Sequence, residues 1–526
     1  MHPVDYVYLA CACYVIYGIG LAVYRLTLHP LARFPGSKLA AATKWYEAYF
    51  DLVKSPGGQF MIEIDRMHEK YGPIVRINPD ELHVRDPEWA ETLYCNASHG
   101  ARDKYPPAAM MTGTPKGVFG TVKHDVHRKR RAAINHFFSK NAINNVEPMI
   151  QEMTSRLCDN FSRAADSDSE LELRSQFLAV TTDVVCQHTF QRNLGLLHST
   201  KQAHAWKETI GAVAILTPLA KQFTWIIPMA LKVPVGLLNA VVPSLGRIVQ
   251  LHRDMHQEAG VAIQTYASQG GASVSKSQWG TDADAKEQHA TMFQSCLESR
   301  HLDPEEKKLN RLAQEAFTII VAGGETTARV LTTATFYMVE HKESVVPRLR
   351  EELGSLSSES SGKLSLKGLE KLPWLTAIVK ESLRITALVT SRLPLVSPDT
   401  PLRYGEWMIP AGTPVSMSLR DVLLNEKIFE RPHEFRPERW LAENPELARI
   451  SKFYMPFGRG SRMCVGLNLA LAELYLILGT LFAEFDFDLF ETTKERDIDI
   501  ARDCFIGEPC WQSKGVRVKL RANKSL

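Results

Sequence analysis

Residues 457–466 read Phe457-Gly458-Arg459-Gly460-Ser461-Arg462-Met463-Cys464-Val465-Gly466, and an apolar, helix-like run follows at once. The stretch sets one cysteine in a loop loosened by glycines, two residues after an arginine. Each part has a physical use if the thiol meets a flat, bulky partner. Gly460 and Gly466 keep the backbone slim on either side of the sulfur. A helix beginning at Gly466 presents free N–H groups and the positive end of its dipole, which favour a thiolate. Arg462 is a cation placed to reach an acidic group of the same partner. The plain alternative is an inert buried thiol, the common fate of a single cysteine.

The rest of the composition excludes several classes. In 526 residues, 45% hydrophobic and 23% charged content leaves ample material for a large core. A net charge of +3 is too balanced to argue for a nucleic-acid partner. The nine cysteines are an odd number scattered from Cys11 to Cys510, with no repeated Cys-x-x-Cys pair. That is neither a disulfide framework nor a zinc site, and it fits a reducing compartment.

Residues 6–24 carry no charge. As a helix they reach about 28 Å, close to the roughly 30 Å hydrocarbon core of a bilayer. Asp5 precedes the run and Arg25, Arg33 and Lys38 follow, so the body of the protein is expected on the cytosolic side. A cleaved signal peptide fits less well, because no basic residue precedes the run and no clean small-residue cleavage site follows. The expected organisation is a membrane anchor over 1–29, a proline-rich hinge over 30–42 and a globular domain over 43–526.

Within that domain, residues 62–72 look helical and 74–86 alternate like a hairpin turning at Asn78-Pro79-Asp80. Asn96-Ala97-Ser98 is a chance sequon if the domain is cytosolic. Residues 100–122 read as a long apolar loop. The apolar stretch 211–243 is interrupted by Pro218, Pro228 and Pro234, which break any second span. Residues 268–286 read as a flexible linker and 354–365 as a loop. Asp303-Pro304-Glu305-Glu306 predicts a helix start, with the helix running to about residue 345. In its middle lies Ala322-Gly323-Gly324-Glu325-Thr326-Thr327. Each glycine costs about 1 kcal/mol of helix propensity, and a helix deformed there suggests a groove for a ligand. The bland reading of the threonine is a hydroxyl bonded back to its own helix.

The pattern Phe-x-x-Gly-x-Arg-x-Cys-x-Gly, met at Phe457, Gly460, Arg462, Cys464 and Gly466, resembles the haem loop of the cytochromes P-450. These are haem–thiolate monooxygenases. The resemblance implies heme b, with Cys464 as axial ligand of the iron, Phe457 and Gly466 completing the loop, and Arg462 binding the cofactor. The motif around Gly324 resembles the oxygen-activating signature of that family, implying that Glu325 and Thr326 relay protons. His124 to Ser139 resembles the helix that binds a haem propionate. Here the matching positions are His127 and Arg131, four apart on one face. Arg128, Lys129 and Arg130 form either a solvated face or a docking surface for an acidic redox partner. Glu381 and Arg384 match Glu-x-x-Arg. Phe435-Arg436-Pro437-Glu438-Arg439-Trp440 resembles the stretch whose arginine joins that pair, so Glu381, Arg384 and Arg439 are expected to form a structural triad. Residues 401–418 look like a short β-sheet turning at Gly405 and Gly412. Family members commonly place a propionate-binding arginine near its start. Arg392 is the nearest candidate, but by register Leu395 falls in that place.

The resemblance covers nearly the whole chain. It implies a mostly α fold with small β-sheets, the cytochrome P-450 fold behind an N-terminal transmembrane helix. It also implies O₂ activation with electrons from NADPH. No dinucleotide-binding fingerprint follows a predicted strand, so electrons are expected from a membrane-bound NADPH–cytochrome P-450 reductase. Met110, Phe119, Phe317, Ile320, Val389 and Phe505 are apolar pocket candidates and point to a lipophilic small-molecule substrate, to be hydroxylated or epoxidised. The general texture is similar to fungal microsomal members of secondary metabolism, some of which oxidise terpenoids such as trichodiene. That implies a terpenoid or polyketide substrate and an endoplasmic reticulum location. A haem–thiolate isomerase or dehydratase usually lacks the acid–alcohol pair; a non-catalytic haem sensor needs haem but no turnover.

Overall fold

The computed structural model describes residues 3–95, 100–268, 291–359 and 364–523. The sequon, nearly all of the expected linker 268–286, and residues 360–363 of the expected loop 354–365 lie outside these. The architecture is built on the helix Leu309–Glu340, which is buried nearly all round and therefore a core element. The helices Leu173–Phe190, Pro243–Ser268, Pro373–Thr386 and Leu467–Glu484 contact it. Gly323 and Gly324 are what let Leu173–Phe190 approach. A Cβ at Gly323 would lie 2.7 Å from Val185, and one at Gly324 would collide with Thr182. Thr181 Oγ1 then donates to the Gly324 carbonyl at 2.8 Å. The two glycines thus serve helix–helix contact, and the helix stays regular through them.

Four expectations about boundaries need correction. The turn Pro304–Lys307 is a separate 3₁₀ turn, and the long helix begins only at Leu309. Lys129–Asp303 (3.2 Å) and Arg130–Glu306 ion pairs tie that turn to the helix His124–Ile134, which explains the offset. The long helix stops at Glu340, and Lys342–Glu359 is a new helix that turns Val345 and Leu349 into the core. That second helix consumes the first part of the expected loop 354–365, because Leu353 and Leu356 pack inward. Pro218 does not break Thr200–Gln222. The helix end beyond it is fastened by Lys221 to Asp51 (2.6 Å) and by Gln222 to the same carboxylate (3.1 Å).

The expected hairpin forms, with Ile74 opposite Val84. It edges a five-stranded sheet ordered Ile74–Arg76, Leu82–Val84, Pro414–Ser416, Leu395–Val396, Asp103–Lys104. Leu402–Tyr404 and Trp407–Ile409 form their own hairpin, turning at Gly405 with φ +53°. The expected small sheet is therefore divided, its last strand belonging to the larger one. The segment 100–122 is more ordered than a loop, holding the strand Asp103–Lys104 and the helix Pro106–Met110. At the N-terminus, Pro3–Thr27 is a helix of 25 residues with none buried. It is about 37 Å long, enough to cross a bilayer. Residues 30–42 lie against the domain: Leu31 and Phe34 are buried, and Phe34 stacks on Trp407 at 4.8 Å.

Candidate functional site

The cysteine loop is held by its own backbone. Cys464 N–H donates to the Phe457 carbonyl at 2.9 Å, and Met463 N–H to that of Gly460 at 3.2 Å. Gly460 has φ +74°, and a Cβ there would strike the Tyr94 and Cys95 carbonyls. At Gly466, the residue preceding the helix Leu467–Glu484, a Cβ would meet nothing in the chain. The chain itself therefore does not demand glycine at 466. Phe457 rests on the main core. Cys464 is exposed, yet burial pushes its thiol up, outweighing the Gly466 amide and the charge of Arg131. An open surface combined with strong desolvation is what a deep recess produces.

Cations gather beside that recess. Arg131 is half-buried and donates to the Met463 and Cys464 carbonyls at 2.8 and 3.3 Å. Arg462 donates to the carbonyls of Thr121 (2.6 Å), Val122 (2.8 Å) and Arg102 (3.4 Å), and its Nε has no partner among the described residues. Burial lowers it to about 10. His127 is buried. Desolvation first, then the charges of Arg462, Arg131 and Lys104, push it down to about 2, so the ring is neutral. Of the basic run, Lys129 and Arg130 are spent on the 303–306 turn, and Arg128 is exposed. Arg392 lies between Glu81 (2.7 Å) and Glu47 (2.8 Å), its charge already neutralised. It has no free charge for a propionate.

The long helix presents Ala322 exposed and Thr326 half-exposed, one turn apart on the same face. Thr326 Oγ1 donates to the Ala322 carbonyl at 2.8 Å, which leaves the oxygen's lone pairs as acceptors. Glu325 is buried. Its Oε1 takes a short ion pair from Arg174 and lies 3.8 Å from Arg329, while Oε2 has no partner among the described residues. Both arginines also hold Glu508, at 3.0 and 2.6 Å. Burial alone would raise Glu508, but the two arginines bring it down to about 2. Among the apolar candidates, Phe119 and Phe505 meet edge to face at 5.5 Å, and Val389 bridges to Ile506. Phe317 instead stacks on His252 at 3.9 Å and Ile320 lies in the core.

Away from the recess, Arg384 grips Glu381 through two bonds of 2.9 and 2.7 Å, and Arg439 adds a third at 3.0 Å. The Arg436 amide and the Trp440 indole N–H complete the shell at 3.0 and 2.8 Å.

A family model described as Cytochrome P450 matches residues 45–509. The chain belongs to the cytochrome P-450 family. Cytochrome P450 monooxygenase sdnE of Sordaria araneosa is 38% identical over 511 residues, covering 96% of each chain. Tryptophan 6-hydroxylase fscE of Fusarium equiseti is 37% identical, covering 97% of this chain and 96% of the relative. Cytochrome P450 monooxygenase TRI4 of Fusarium sporotrichioides is 33% identical, covering 94% and 91%. The protein is thus a cytochrome P-450 monooxygenase, mostly helical with small sheets, similar to fungal relatives. As a P-450 it takes thiolate-ligated haem iron. Its residues fit that group: an open sulfur, and beside it half-buried Arg131 and Arg462, which form no ion pair among the described residues where haem carries two carboxylates.

Sequence reasoning missed Arg174, Glu508 and Lys104, which reach the site from distant segments without a local pattern. Arg329, at i+4 from Glu325, did carry a signal. Trp440 adds an indole N–H bond to Glu381 that a phenylalanine cannot make.

Proposed function

We propose that the protein inserts one oxygen atom from O₂ into a lipophilic secondary metabolite, a terpenoid or polyketide, hydroxylating or epoxidising it. Electrons come from NADPH through a membrane-bound NADPH–cytochrome P-450 reductase. The observation carrying this reading is the exposed Cys464 beside Arg131 and Arg462, which form no ion pair with a carboxylate among the described residues. When bound, haem supplies the oxygen-activating chemistry. Cys464 would hold it through its sulfur, within the loop closed by Phe457 and Gly466. His127 would donate an N–H, and Arg131 and Arg462 would supply charge, to its acidic groups. Thr326 Oγ1 would accept a hydrogen bond beside the cofactor, and Glu325, whose Oε2 has no partner among the described residues, would relay protons with that hydroxyl. Arg174 and Arg329 keep that carboxylate turned to the protein interior. Phe119 and Phe505 form an apolar wall that favours a lipophilic substrate.

The N-terminal helix supports an anchor in the endoplasmic reticulum membrane, over 1–29, with the catalytic domain cytosolic. Exposed Trp45, Tyr49, Trp225, Met229 and Val241 support a domain resting on the same bilayer.

The test is reconstitution with reductase, NADPH and candidate terpenes or polyketides under isotopically labelled O₂. Mass spectrometry is expected to find one labelled oxygen in the product; label entering only from water would overturn the reading. Under the same conditions Thr326→Ala is expected to divert most NADPH electrons into hydrogen peroxide, with product per NADPH falling about tenfold or more, the usual scale for losing a positioned proton-transfer group. Coupling equal to that of the unaltered protein would remove Thr326 from the relay.

A further inference from the structure

Lys104 belongs to no motif, yet it is the most anomalous charge near the recess. Its strand Asp103–Lys104 pairs with Leu395–Val396, which sets Lys104 opposite the apolar Leu395. Its amide donates to the Val122 carbonyl at 2.9 Å, the same carbonyl that takes Arg462 Nη2 at 2.8 Å. Two cationic side chains are thereby brought into one space. The residue is 4% exposed. Its ammonium donates to the Phe119 carbonyl at 2.6 Å and lies 3.2 Å from the Phe119 ring centroid.

One carbonyl and one ring do not replace the water lost by a group with three N–H donors. The neighbouring acid is already engaged: Asp103 takes Lys123 at 2.9 Å and the His124 amide at 2.8 Å. Among the described residues no carboxylate pairs with Lys104, and Arg462 adds like charge, so burial and that charge push Lys104 well below its ordinary value. A buried charge left without a partner is strongly unfavourable. A chain that places two unneutralised cations side by side has a site that an anionic ligand completes. A purely structural ammonium, pinning residue 119 to the sheet, would need no second unneutralised cation beside it.

We propose that Lys104 is a haem-binding residue, its ammonium completing with Arg462 a site for a propionate carboxylate of the cofactor. This rests on the haem–thiolate reading of the Cys464 recess. In the haem-loaded state the ammonium then has the anion it lacks, and the strand Asp103–Lys104 becomes part of the cofactor's wall.

The test uses the full-length, haem-loaded protein and two readouts besides activity: haem transfer to apomyoglobin and the ferric/ferrous midpoint potential. Lys104→Met is expected to release haem about ten- to hundredfold faster, the scale of one lost charge-assisted hydrogen bond. Its midpoint potential should fall, because a nearby positive charge favours the reduced, less positive iron. Lys104→Arg keeps the charge and should stay close to the unaltered protein on both readouts. If the methionine variant does not accumulate, Lys104→Gln gives the same comparison. Unchanged haem release and potential in a folded Lys104→Met protein would overturn the assignment, as would an arginine variant that behaves like methionine. If the unaltered protein lacks a thiolate-type Soret band in its reduced CO complex, the haem–thiolate reading itself fails. A normal band with no effect at Lys104 removes only the lysine.

Discussion

Cys464→Ala is expected to abolish the red-shifted Soret band of the reduced CO complex and bring product formation to background. The band reports sulfur on the iron. Of the described cysteines only Cys11, Cys13 and Cys464 are exposed, and the first two lie in the N-terminal helix. Buried thiols are poor substitutes: burial pushes Cys296 up to about 11 and Cys504 up to about 12, far from the thiolate that ligation needs. The cations around the recess are untouched by the substitution, as is the apolar wall at Phe119 and Phe505. Some haem can therefore still bind, which makes the experiment discriminating. A variant that retains haem but shows the shorter-wavelength band of a non-thiolate complex is the expected outcome. Persistence of the red-shifted band would mean that another sulfur is the ligand. Adding Arg131→Ala tests whether charge beside the loop matters separately. Arg131 donates to the Met463 and Cys464 carbonyls, so its loss should loosen the loop and weaken haem retention while leaving the thiolate band in whatever haem remains.

The loop and the triad could be read from sequence because their chemistry demands particular residue types at short, fixed separations. Cys464 needs Gly460 four residues earlier, where a side chain would strike the Tyr94 and Cys95 carbonyls. Glu381 and Arg384 are one helical turn apart, so the spacing itself makes the pair. The ion cluster at Glu325 was not legible in this way. Arg174 and Glu508 are brought together from 334 residues apart by folding alone. The two glycines of the long helix were misread for a related reason. Local propensity treats them as a weakness, whereas Val185 and Thr182, on another helix, use the missing side chains as contact surface. Pro218 shows the same limit from the other side. A buried ion pair beyond the proline holds the helix end, and nothing near Pro218 in sequence announces Asp51. Lys104 is the hardest case, since only folding shows that no described carboxylate pairs with it.

The largest stability effect is expected at Glu381. The residue is fully buried and accepts from Arg384 twice, from Arg439, from the Arg436 amide and from Trp440. Arg384 also donates to the carbonyls of Leu423 and Pro432, so the pair ties the helix Pro373–Thr386 to the segment 423–440. Glu381→Gln keeps the shape but leaves two buried guanidinium groups without a counter-charge, a loss of about 3–5 kcal/mol. Set against a total of about 5–15 kcal/mol for a folded domain, that removes most of the margin, and the yield of haem-loaded protein should collapse. Trp440→Phe removes a single bond to the same carboxylate and should cost about 1.5–3 kcal/mol. The pH dependence gives an independent check. Burial would raise the Glu381 carboxyl, but Arg384 and Arg439 hold it below its ordinary value. A depressed carboxyl contributes stability that is complete above the unfolded-state value of about 4.3 and lost as pH falls through the lower folded-state value. Thermal denaturation should therefore show a wide gap between the two proteins at neutral pH. That gap should narrow as pH falls below about 4.3, where the carboxyl of the unfolded chain takes up a proton before that of the folded protein does. A Glu381→Gln protein within about 1 kcal/mol of the unaltered one at neutral pH, the scale of an exposed ion pair, would place the fold's support elsewhere.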